Sequence, residues 1–211
     1  MNSQQSIHEA FLWVRQVYEE GRVFLGDAKE MADALAYRAW EDKVYTKSAP
    51  STEVGYPFVC LAVLILSHAS TFDDEGPGKA AVVAIDFHSA SRVGPHLLAG
   101  SVAYSDFNNV GVYAVDEGVR LRGESKYFQS VATPDGSAYV QRRVGTQKGF
   151  AGIEEFRHVE IPLTTIDTPD KLRRIVEATI AFVEGDEQPL VNIRTEFIAA
   201  TQSTGTHGVA P

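Results

Sequence analysis

Nine consecutive apolar residues, Phe58-Val59-Cys60-Leu61-Ala62-Val63-Leu64-Ile65-Leu66, stand out along the chain. A run this short cannot cross a bilayer, which takes about 20 residues. It has neither the alternation of a half-exposed strand nor the polar stripe of a surface helix, and its Val and Ile content suits a strand buried on both faces. A turn-forming segment ending in Gly76-Pro77-Gly78 leads to a second run, Ala80-Ala81-Val82-Val83-Ala84-Ile85-Asp86-Phe87. Two such runs across a short loop predict an antiparallel hairpin at the middle of a sheet.

Upstream, Ile7, Phe11, Val14 and Tyr18 recur at spacings of four, three and four, which predicts an amphipathic helix over 7–20. Ser6 and Glu9 fit a capping box, and Gly21 is a candidate stop. A second helix is expected over 28–42, with Asp27 as its cap and Met31, Leu35 and Ala39 turned inward.

Downstream, alternation predicts strands over 97–104, 110–115 and 119–122. Pro134-Asp135-Gly136 marks a hairpin between 127–132 and 137–144, and 145–155 reads as a loop. Val159, Ile161 and Leu163 alternate with His158, Glu160 and Pro162, and the proline assigns this strand to an edge or makes it terminal. Asp167 or Thr168 as cap, Pro169 in the first turn and Asp170 at the positive end of the dipole predict a helix start. Its apolar stripe is Leu172, Ile175, Val176, Ile180 and Val183, and Gly185 stops it. Residues 190–200 fit strand or helix equally.

These elements predict an α+β fold, with an antiparallel β-meander of about seven strands flanked by two N-terminal helices and one C-terminal helix. One domain over 1–200 and a disordered tail over 201–211 are expected.

Charge and cysteine content narrow the function classes. The chain of 211 residues carries 28 acidic and 19 basic side chains, a formal charge of −9, which disfavours nucleic acid as the main partner. The one cysteine, Cys60, sits inside the apolar run and fits a reducing, cytoplasmic setting. Residues 1–5 have no basic stretch leading into an apolar core, so neither a secretory signal nor a membrane span is expected.

No phosphate-binding glycine loop, zinc-helix motif or nucleophile elbow is present, and no catalytic residue or cofactor is assigned. Symmetric pairing across the Ser89–Pro95 turn would set His88 opposite His96, with Asp86 on the same face as His88. Asp86, His88 and His96 are therefore the candidate ligands for a divalent metal. Arg120, Arg122, Arg142 and Arg143, on neighbouring predicted strands, form a candidate anion-binding strip, and Trp13 and Trp40 are candidate anchors for a partner surface or the core.

An acidic chain of modest size with helices beside a sheet and no reactive motif fits a non-catalytic protein-interaction protein: an adaptor, a chaperone-like protein or an immunity-type inhibitor. The element order resembles that of small bacterial chaperones and regulators in order alone. A protein partner and a homodimer through an uncovered sheet edge are expected. The alternatives are a small-molecule sensor or carrier with a sheet–helix cavity, and a metal-dependent hydrolase using Asp86, His88 and His96.

Overall fold

The computed structural model describes residues 3–39, 45–48, 59–69, 78–87, 95–105, 128–132, 138–143 and 153–204. Helix α1 is Ser3–Asp33. Eight strands follow: β1 Tyr37–Ala39, β2 Tyr45–Ser48, β3 Val59–His68, β4 Gly78–Asp86, β5 His96–Tyr104, β6 Phe128–Ala132, β7 Tyr139–Arg143 and β8 Ile153–Pro162. A single 3-10 turn, Leu163–Thr165, leads to α2, Pro169–Glu184, and α3, Gln188–Thr204. The protein is α+β, with an antiparallel sheet and, among the described residues, three helices.

The N-terminal region is one helix, where two were expected. The reason is phase. Ile7, Phe11, Val14, Tyr18, Gly21, Leu25, Ala28 and Ala32 continue one alternation of four and three. Leu25, Ala28 and Ala32 are fully buried. Gly21 lies within the helix, where glycine costs about 1 kcal/mol relative to alanine. Its missing side chain admits the Phe87 ring: a Cβ there would lie 2.7 Å from Phe87 Cζ. Tyr18 meets the same ring edge-on at 4.9 Å. Asp27 is interior to α1 and caps nothing. The helix stops at Asp33, and Ala36 turns the chain in the left-handed region at φ 63°. Ala39 is buried, as expected, but on a strand; residues 40–42 lie outside the described residues.

The central hairpin forms with Leu61 opposite Asp86 and Leu66 opposite Ala81. Beyond it the sheet departs from a simple meander. Its order is β1-β3-β4-β5-β8-β7-β6, with β2 also on β3. The last strand returns beside β5, so β8 is flanked by β5 and β7. Pro162 is the last residue of β8, where a missing ladder donor is tolerated, and the strand is not at an edge. Residues 153–155, expected in a loop, begin this strand, and β6 and β7 pair antiparallel, with Ala132 opposite Tyr139; residues 133–137 lie outside the described residues. The expected strands at 110–115 and 119–122 lie outside the described residues.

All three helices pack on one face of the sheet: α1 against β1 and β3, α2 against β4 and β5, α3 against β8. Leu64, Leu66, Val83, Ile85, Leu97 and Ile161 meet them there. The alternate positions Ile65, Val82, Ala84, Leu98 and Val102 face the other way and are equally buried. Burial on both faces explains the unbroken apolar runs of β3 and β4.

Thr168 caps α2, its hydroxyl accepting from the Lys171 amide at 3.3 Å. Pro169 and Asp170 occupy the first turn, and Gly185 closes the helix at φ 106°. Asp167 instead pairs with Lys171 Nζ at 2.8 Å. The ambiguous stretch 190–200 is helical because Leu190, Ile193 and Phe197, spaced by three and four, are the buried positions. Helix α3 takes in the first four residues of the segment expected as a tail, and 205–211 lie outside the described residues.

The Tyr37 hydroxyl donates to Glu184 Oε1 at 3.2 Å, joining β1 to the end of α2. Burial, reinforced by the Glu184 charge, pushes the Tyr37 pKa from 10.0 up to about 12. The native state then keeps a proton that the unfolded chain releases. This contribution to stability is complete below pH 10.0 and is lost as pH rises towards about 12. Urea midpoints across that range are expected to fall more steeply for the wild type than for Tyr37→Phe.

Candidate functional site

The face of the sheet away from the helices carries Ile65, Val82, Ala84, Leu98 and Val102, and beside them runs a polar strip. Asp86 ends β4 and lies directly opposite His96, the first residue of β5. Asp86 is 8% exposed and His96 is half-buried. The expected register set His88 opposite His96; the actual register is two residues earlier. Apolar pairing fixes it there, with Ala84 on Leu98, Ile85 on Leu97 and Val83 on Ala99. A shift of two leaves every residue on its face, so Asp86 and His96 still come together. His88 lies outside the described residues.

Strand β8 extends the strip. His158 lies opposite Gly100, and Glu160 opposite Leu98, the residue two positions after His96. His158 is fully buried and Glu160 is 6% exposed. Their contact, His158 Nε2 to Glu160 Oε1, is 3.4 Å. The imidazole stacks on Phe156 with centroids 4.5 Å apart and planes 15° from parallel. The sequence placed His158 and Glu160 on the polar side of an edge strand. Both are buried, and β8 is an inner strand between β5 and β7. Nothing local to β8 signals its neighbours, because the pairing with β5 joins distant parts of the chain.

Asp86, His96, His158 and Glu160 thus set two imidazoles and two carboxyls on three adjacent strands, β4, β5 and β8. Among the described residues no three His, Cys, Asp or Glu side chains are grouped to hold a metal ion.

The helical layer offers a different kind of site. An open groove of about 520 Å³ runs between α1 and α2, with Met31, Ala34, Leu35 and Pro169 as apolar lining. Asp27, Glu30 and Glu177 stand around it with Arg173. A second open groove, about 450 Å³, lies between α2 and α3 and includes Ala178, Ala181 and Ile193. Arg174 and Glu196 bridge these helices by two hydrogen bonds of 3.0 and 2.6 Å. That contact holds the Glu196 carboxyl below its ordinary pKa. Leu12, Val23 and Leu35 expose 52, 60 and 41% of their surface.

The other expected site residues are scattered. Trp13 belongs to α1, and Trp40 lies outside the described residues. Arg142 and Arg143 are consecutive in β7, so their positions fall on opposite faces of the sheet. Arg120 and Arg122 lie outside the described residues. No described helix is long and apolar enough to cross a membrane.

Comparison with protein-family models, curated proteins and solved structures found no match.

Proposed function

We propose that this is a non-catalytic protein-interaction protein, of the adaptor, chaperone-like or immunity type, which offers its helical layer to a protein partner. The observation that carries the reading is the contrast between the layers. The apolar residues of β4 and β5 are buried on both faces, whereas α1 exposes Leu12 and Val23 and borders an open groove. Exposed apolar side chains beside a groove rimmed with charge are the usual material of a binding surface. The acidic balance of the whole chain favours a basic partner. A cytoplasmic location belongs to the same reading and rests on the one cysteine, placed within an apolar strand.

Native mass spectrometry of the untagged protein purified from its own host tests this. A stoichiometric protein adduct is expected. A bound metal or small molecule with no protein would reject the reading.

A homodimer is the second element of the proposal. Among the described residues strand β6 is the last in the sheet order and pairs with β7, and an edge of this kind can be covered by a second copy. Light scattering after size exclusion is expected to give twice 23.1 kDa. A constant monomer mass over a range of concentrations would remove the dimer.

The metal-dependent hydrolase reading, with Asp86, His88 and His96, keeps one specific support: Asp86 and His96 are direct cross-strand neighbours. Loss of a bound divalent ion on Asp86→Ala would favour it over the interaction reading.

A further inference from the structure

We infer that the outer stripe of α1, together with the α1–α2 groove, is the docking surface for a basic amphipathic helix; the inference rests on the interaction reading above.

The stripe follows from helical geometry. Leu12, Val23, Asp27 and Glu30 are separated by eleven, four and three residues, which keeps them along one side of α1, and Ala34 and Leu35 follow directly after its last residue, Asp33. This side is opposite in role to the buried series Leu25, Ala28 and Ala32. Val23 is 60% exposed and lies one turn before Asp27, so an apolar position leads directly into the groove. From Val23 to the end of α1 at Asp33 the stripe is about 15 Å long at 1.5 Å per residue. That length takes three turns of a partner helix, with apolar side chains at i, i+3, i+4 and i+7 set against Val23, Ala34 and Leu35.

Charge selects the partner. Asp27, Glu30 and Glu177 rim the apolar floor, and among the described residues none of them joins an ion pair. Arg173 offsets one of the three. The surplus is negative and adjacent to the apolar surface, which is the complement of a helix with a Leu-rich face flanked by Lys or Arg. Rim charges of this kind mainly set preference and on-rate, and salt screens them.

The test uses the full chain, labelled with 15N, and two synthetic amphipathic helical peptides. Both have the same leucine face; one has Lys at every polar position and the other Glu. The wild type is expected to bind the Lys peptide saturably, about tenfold or more tighter than the Glu peptide. Amide shifts should concentrate in 23–35 and 169–177. In Glu30→Lys/Glu177→Lys the preference should reverse. Val23→Ser should weaken the Lys peptide several-fold at unchanged net charge, which separates docking on the stripe from general attraction to an acidic protein. Absence of saturable binding, an unchanged preference in the reversed variant, or shifts centred on another surface would each overturn the inference. If the natural partner cross-links to the α2–α3 groove instead, this inference fails and the interaction reading stands. If no protein partner exists, both fail.

Discussion

Gly100→Val is expected to destabilise the protein by about 3 kcal/mol or more, the upper part of the range for overpacking a buried site. Gly100 is fully inside β5 and lies opposite His158 of β8. A Cβ at this position would overlap the Arg157 carbonyl oxygen and come within 2.6 Å of His158 Cα. Both obstacles are backbone, so no rotamer change relieves them and the two strands must move apart. Among the described residues, the β5–β8 pairing is the step that joins the N-terminal and C-terminal halves of the sheet. At about 2–4 °C per kcal/mol for a chain of this size, the melting temperature should drop by about 6–12 °C or more. Gly26→Ala is the control. A Cβ there meets nothing within 4 Å, and a helix gains up to about 1 kcal/mol from the exchange. Equal melting temperatures for the wild type and Gly100→Val would show that β5 and β8 do not approach as described.

His158→Phe is expected to cost about 2–3 kcal/mol. The substitution keeps an aromatic ring to stack on Phe156 but removes the nitrogen that contacts Glu160 at 3.4 Å. The Glu160 carboxyl, 6% exposed, then loses one of its polar contacts in a low-dielectric setting. The double variant His158→Phe/Glu160→Leu should recover most of the loss, because replacing both members of a buried polar pair with apolar groups is often neutral. Urea unfolding of the two single variants and the double variant gives the coupling energy directly. A double variant as unstable as the sum of the singles would mean that the two residues act independently.

Much of the architecture is legible in the residues, and the failures have physical causes. The unbroken apolar runs of β3 and β4 identify a strand pair buried on both faces. Thr168, Pro169 and Gly185 mark the limits of α2 because each satisfies a specific backbone need. Gly21 misleads because a glycine that ends a helix and a glycine that admits an aromatic ring look the same in sequence. The phase of the apolar stripe across it distinguishes the two. The position of β8 between β5 and β7 is not legible locally, since no residue of β8 names its partner strands.

The candidate surfaces divide in the same way. The sequence sets Asp86 on the same face as His88 and puts His88 opposite His96; in the structure it is Asp86 that pairs with His96. His158 and Glu160 join that strip only through pairing between distant parts of the chain. The α1–α2 groove depends on the packing of two helices from opposite ends of the sequence. Its components are nonetheless ordinary in sequence: Asp27 and Glu30 look like any solvated helix face until Pro169 and Glu177 stand beside them.

The most direct test of the central claim is photo-cross-linking in the protein's own host, with a photoreactive residue at Val23 and, as a control, at Glu154, which is exposed on β8. The interaction account predicts one dominant protein adduct from position 23, carrying a basic amphipathic segment at the point of attachment, and no such adduct from position 154. Adducts from position 154 alone would put the binding surface on the sheet and contradict the account. No protein adduct from either position, with a metal ion or small molecule bound to the purified chain, would contradict it as well.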